Sequence, residues 1–96
     1  MRPSLALRKY RKEVMKILGA SCALNPRVIG SVAKGEDGEN SDLDLLIDVK
    51  PKTTLFDIAG LQIELEKALA VKVDIMTTGG IHKLIRDEIL SSARAL

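Results

Sequence analysis

Aromatic residues are nearly absent: there is no tryptophan, and Tyr10 and Phe56 are the only rings of their kind among 96 residues. Proteins that hold single strands by base stacking need several such platforms, so the scarcity argues against direct nucleic-acid binding. Cysteine is limited to Cys22, which excludes a disulfide within the chain and any cysteine-pair zinc site, and fits a reducing compartment. A lone thiol is expected to be a buried structural residue. No apolar run approaches the roughly 18 residues that crossing a bilayer requires. The opening MRPSLALRKY lacks a continuous hydrophobic signal segment, so the expectation is a cytoplasmic protein with no membrane contact. Neither sign of charge dominates, since 15 basic and 13 acidic residues leave a net charge of +2.

What is present is aliphatic. With 46% hydrophobic residues in 96 positions, the chain fits one domain, residues 1–96, built on a single core of Leu, Ile, Val and Ala. Six of the 15 Lys and Arg residues (Arg2, Arg8, Lys9, Arg11, Lys12 and Lys16) crowd the start against one acid, Glu13. Such a run can meet an acidic partner, but on an amphipathic helix it reads more simply as the solvated face.

Apolar residues Leu7, Tyr10, Val14, Ile17 and Leu18 recur at steps of three and four, which predicts one helix over 5–18, capped by Ser4 and ended by Gly19. After Pro26, Arg27 to Ser31 reads as a short strand stopping at a turn of small residues, and 35–41 as a polar loop. Leu43 to Val49 reads as a second strand, with Leu43, Leu45, Ile47 and Val49 facing the core and Asp42, Asp44 and Asp48 on the opposite face. Thr54 and Asp57 form a capping box for a helix carrying Leu55, Ile58, Leu61, Leu65 and Leu69. Gly60 inside it suggests a close approach to a neighbouring element. Val71 to Met76 is a third strand, in which Asp74 interrupts residues suited to burial. Gly79 and Gly80 make a turn before a closing helix over 81–93. Helix, strand, strand, helix, strand, helix implies an α/β fold, a small mixed β-sheet with helices packed on it. The first two strands should pair antiparallel, and the helical crossover should make the third parallel to the second.

The chemistry concentrates in residues 30 to 44, GSVAKGEDGENSDLD. Gly30 lets backbone approach a ligand, and Ser31 adds a hydroxyl to the amides of a turn, a common way to hold phosphate oxygens. Lys34 extends that turn and either contacts phosphate or faces solvent. Asp42 and Asp44, two apart on a strand, aim both carboxylates to one side, as oxygen ligation of hard cations requires, and Asp74 can supply a third. Two unit charges 4 Å apart repel by about 4 kcal/mol at an effective dielectric of 20, so three carboxylates call for a proton or a metal. Beside phosphate-binding residues the metal is favoured, and the expected reaction is nucleotidyl transfer assisted by two magnesium ions. His82, the only histidine, reads as a surface or capping residue rather than a base.

The stretches RVIGSVAKGEDGENSDLDLLIDV, VKVDIM and IRDEIL resemble, respectively, the signature loop with second strand, the third catalytic strand and the terminal helix of the minimal nucleotidyltransferases of the DNA polymerase beta superfamily. That resemblance covers nearly the whole chain. It implies a polymerase beta palm-like fold, a metal triad of Asp42, Asp44 and Asp74, and phosphate binding by Gly30 and Ser31. Similar chains often carry a proline early in the last helix, where this one reads Ile81, His82, Lys83. The resemblance further implies an antitoxin that transfers AMP from ATP to a tyrosine of a helical HEPN toxin. The sequence adds that 96 residues leave no space for an acceptor-holding domain, so a partner chain would replace it. The competing expectation is a binding module that neutralises its partner by occlusion.

Overall fold

Pro3 has its φ preset for a helix and no N–H to leave unpaired, so the chain turns helical there, with Arg2 and not Ser4 at the capping position. The computed structural model describes residues 1–96. In it α1 spans Pro3–Lys9 and α2 spans Arg11–Gly19, two helices where the periodicity predicts one. The break is at Tyr10, whose backbone (φ −108°, ψ 24°) leaves the helical range. Ala6, Leu7, Val14 and Leu18 are still buried, which is why the spacing looks continuous; Gly19 is the last helical residue rather than the stop. The Ser4 amide donates instead to Oδ2 of buried Asp37 at 2.8 Å, fastening α1 to the loop that precedes the second strand.

Strand β1 spans Ala23–Ile29 and so begins upstream of the expected Arg27. It passes Pro26 by a bulge: Asn25 takes a φ of 48°, and the register against β2 (Leu43–Val49) shifts between Leu24 and Arg27. A bulge is where a strand tolerates a residue with no N–H. The sheet order is β3 (Val73–Thr77), β2, β1 and β4 (Arg94–Ala95), with β1 and β2 antiparallel and β2 parallel to β3, as the connections require.

Helix α4 (Leu55–Leu69) makes that crossover and carries the expected capping box, in which the Asp57 amide donates to Thr54 Oγ1 at 3.2 Å and the Thr54 amide to Asp57 Oδ2 at 2.9 Å. Leu61, Leu65 and Leu69 are buried, whereas Leu55 and the neighbouring Phe56 are exposed. Gly60 has open space where a Cβ would sit, so the expected close approach is not there. It borders a surface cavity shared with Cys22, which is half-buried rather than buried. After the 3-10 turn Thr78–Gly80, α5 (Lys83–Ser92) ends before the predicted 93, and Arg94–Ala95 returns as β4 against β1.

Leu43, Leu45, Ile47 and Val73 form the floor of the main core beneath α1, α2 and α4. The opposite face carries more than carboxylates. Leu46 is fully buried there with Ile29 and Ile81, and Ile89 of α5 packs on them. Burial on both faces accounts for the unbroken apolar run Leu45-Leu46-Ile47.

Candidate functional site

The candidate site lies at one end of this second face. β1 stops at Ile29 and the chain reverses through Gly30, at φ +70°, into the single-turn helix α3 (Gly30–Ala33). Positive φ is the conformation for which glycine carries no steric penalty. Space demands it as well: a Cβ on Gly30 would stand 2.5 Å from Oδ2 of Asp44. Backbone and carboxylate are thus in direct apposition.

Register brings the second carboxylate in. Asp44 is the pairing partner of Ile29 on one side and of Asp74 on the other. Alternation sends Leu43 and Leu45 into the main core and Asp44 to the far face, where Asp74 lies across the parallel ladder, about 4.8 Å away in strand spacing. Asp44 is half-buried, and its carboxyl is held above the ordinary aspartate range, first by burial and then by the negative charges of Asp74 and Asp42. Asp42 stands one residue ahead of β2, with Oδ2 3.9 Å from Lys72 Nζ. No three His, Cys, Asp or Glu side chains already stand in ligand geometry, consistent with Asp42 leaning toward that lysine.

Gly30, Lys34, Asp44 and Asp74 share a cleft of about 300 Å³ whose other wall is α5, through Glu88, Ile89 and Ser92. Ser31 is half-buried in α3 and is not part of that wall; its carbonyl accepts the Glu36 amide at 2.8 Å. A larger cavity of about 570 Å³, between α2 and α4, holds none of these residues. The smaller cleft is therefore the candidate site, although Asp42, like Ser31, does not line it. Asp48, expected on the same face as Asp44, is engaged structurally: it accepts from Arg27 at 3.0 Å and from the Thr78 hydroxyl at 2.9 Å. His82 caps α5, its Nδ1 accepting the Leu84 amide at 3.1 Å. The sequence by itself assigns no role to Glu88 or Ser92, because helical periodicity marks only the apolar positions of the closing helix. Their i, i+4 spacing beside half-buried Ile89 is the available signal.

Residues 7–96 match the family model of the nucleotidyltransferase domain. The chain belongs to the nucleotidyltransferase family. Two Methanocaldococcus jannaschii relatives, both named "Putative protein adenylyltransferase", are similar along most of their length. One is 32% identical over 87 residues, covering 91% of this chain and 94% of its own. The other is 34% identical over 76 residues, covering 79% and 74%. Among solved structures, a "putative minimal nucleotidyltransferase" aligns with a TM-score of 0.83 at 39% identity, covering 97% of this chain and 93% of that one. The fold alone is shared with a toxin-antitoxin structure containing AMP-PNP, at TM-score 0.69 and 15% identity over 97% of this chain and 71% of that one. This minimal nucleotidyltransferase has no helix long and apolar enough to cross a membrane.

Proposed function

We propose that the chain transfers AMP from ATP to a tyrosine hydroxyl of a helical HEPN-type toxin and, in the cytoplasm, acts as its antitoxin. The observation that carries this reading is the apposition of the Gly30 backbone to the Asp44 carboxylate, with Asp74 in register beside it. The names of the relatives, protein adenylyltransferases, support the same acceptor class.

On this reading Gly30, Ser31 and Lys34 hold the triphosphate, and Asp42, Asp44 and Asp74 hold magnesium. The donor set fits a hard cation: three carboxylates on adjacent segments, one of them, Asp44, already resisting ionisation because of its burial and then of the charges of the other two. When bound, magnesium neutralises charge on the phosphate oxygens and eases loss of the acceptor proton. The chain's own part is to orient the α-phosphorus for in-line attack. The tyrosine oxygen bonds to that phosphorus, the bridge to the β-phosphate breaks, pyrophosphate leaves and the hydroxyl proton is lost to solvent. Lys72 beside Asp42 offsets negative charge before nucleotide arrives.

The test is co-expression with a HEPN protein encoded next to it, followed by intact-mass measurement of that protein. Discrete AMP increments on a tyrosine-containing peptide are expected. Neutralisation of the toxin with no increment would instead establish the occluding module.

A further inference from the structure

The nucleotide cleft has two unlike walls. Gly30, Lys34, Asp44 and Asp74 stand on one, while α5 presents Glu88, Ile89 and Ser92 on the other, with exposed Met76 of β3 completing the lining. The first wall accounts for phosphate and metal; the second has no assigned role. Glu88 is the only charged group that α5 brings to the cleft. Its carboxylate joins no ion pair, and its backbone carbonyl is engaged by the Ser91 hydroxyl at 2.7 Å. The Ser92 hydroxyl is committed to the Ile89 carbonyl at 3.3 Å, so Glu88 is the free acceptor of this wall. Nor is it a further metal ligand. The charges that raise the Asp44 carboxyl are those of Asp74 and Asp42 and not that of Glu88, which therefore stands farther off than either.

We propose that Glu88 binds the ribose of the nucleotide, its two carboxylate oxygens accepting the 2′- and 3′-hydroxyls, and so selects ribonucleoside over deoxyribonucleoside triphosphates. This role rests on the nucleotide reading above. Covalent connection limits what can face α5: the ribose is bonded through its 5′-oxygen to the α-phosphate, and that phosphate must lie at Asp44 and Asp74, inside the same cleft of about 300 Å³. The phosphates themselves are repelled by Glu88 and drawn to Lys34. Among the neutral parts of the nucleotide, hydrogen-bond chemistry decides. A carboxylate accepts and never donates, so two adjacent hydroxyl donors satisfy both of its oxygens. Adenine offers one exocyclic amine beside ring nitrogens that are themselves acceptors. An acidic side chain at the ribose hydroxyls is also how dinucleotide-binding folds recognise that sugar. Met76 and Ile89 are left for the apolar faces of the base.

The experiment is calorimetry on the full chain with magnesium and no partner protein, comparing ATP, 2′-deoxy-ATP, 3′-deoxy-ATP and GTP. Wild type is expected to bind ATP about tenfold more tightly than either deoxy form, the loss of one hydrogen bond to a charged group. Glu88→Ala, at an exposed helical position where alanine is favoured, should weaken ATP by about tenfold or more and bring the three adenine nucleotides within about threefold of one another. Glu88→Gln keeps one acceptor oxygen and should fall between. Asp87→Ala removes a neighbouring charge that does not line the cleft, and should change each affinity by less than about twofold. Equal binding of ATP and its deoxy forms by wild type would overturn the role of Glu88 and leave the transfer reading standing, whereas no binding of any nucleotide would overturn both. Ribose preference surviving in Glu88→Ala, an equal loss in Asp87→Ala, or a changed ratio of ATP to GTP with the ribose preference intact would also overturn it.

Discussion

The Gly30 backbone and the Asp44 carboxylate occupy adjoining space with no room for a methyl group between them, since a Cβ would meet Oδ2 at 2.5 Å. Gly30→Ala must displace the carboxylate and also place a side chain at φ +70°. The backbone conformation alone should cost about 1–2 kcal/mol, read as a lowered melting temperature. ATP binding by calorimetry should be lost with it. Ser31→Ala should leave the melting temperature unchanged and weaken ATP severalfold through the missing donor. ATP affinity intact in both variants would remove this turn from phosphate recognition.

Two aspartates pull the pH dependence of stability in opposite directions. Asp44 has a folded-state pKa above its unfolded value, so its effect is most favourable at acid pH and becomes a penalty as pH rises through the folded value. Asp44→Asn should therefore raise the melting temperature at pH 7 in chelator, with the gain fading as pH falls through the raised folded value and gone below about pH 4. For Asp37, burial pushes the carboxyl up, but hydrogen bonds from Ser4 and its own backbone and the charge of Arg2 outweigh it and hold the pKa down. Its stabilisation is present above the ordinary aspartate value of about 3.9 and lost as pH falls through the lower folded value. Asp37→Asn should lower stability at pH 7 and flatten the acid limb of the melting profile. Parallel profiles for both variants would contradict these assignments.

If the carboxylates hold magnesium, the ion together with a non-hydrolysable ATP analogue should raise the melting temperature, and chelator should abolish the rise. At 100 times the dissociation constant a ligand adds about 2.7 kcal/mol. The double variant Asp42→Asn with Asp44→Asn should fold, show no such rise and lack transfer activity. An undiminished rise in that variant would place the metal elsewhere.

Asp48 offers the contrast of a carboxylate on the same face that serves structure. It joins Arg27 of β1 to Thr78 after β3, and Arg27 Nε is already buried without a partner. Asp48→Ala should destabilise the chain by about 1–3 kcal/mol, measured by urea unfolding, while transfer and ATP affinity at 20 °C stay within about twofold of wild type. A lost transfer activity with intact stability would make Asp48 part of the site.

The contrast shows where sequence reading stops. Strand alternation is rigid, so the sequence put Asp44 on the sheet face away from the main core, and the β2-β3 register then paired it with Asp74; Asp42 lies one residue ahead of β2, outside that alternation, beside Lys72. Alternation is silent about partners, so it could not separate Asp48, which is bound to Arg27, from Asp44. Periodicity likewise found the buried stripe of the N-terminal helix but not the break at Tyr10, because Leu7 and Val14 remain on one side of both halves. Strand β4 has two residues and no period at all; pairing with Arg27 and Val28 alone defines it. Gly60 misled for a different reason. A glycine's cost in a helix is local, and the open space beside it is a tertiary fact.

Asp74 decides the chemical reading most cleanly. It is exposed on the edge strand of the sheet and paired in register with the half-buried Asp44, while Gly30 and Lys34 reach the cleft from the other side. A carboxylate in that position is suited to the acceptor side of a displacement at phosphorus, so its loss should affect chemistry more than nucleotide capture. Asp74→Asn is expected to bind the ATP analogue within about threefold of wild type, a difference of under 1 kcal/mol, yet to leave the co-expressed toxin unmodified. The reading is the intact mass of the toxin from cells carrying each variant at matched expression. Equal increments with Asp74→Asn would take Asp74 out of the reaction, and loss of ATP binding in step with transfer would make it a nucleotide-binding residue.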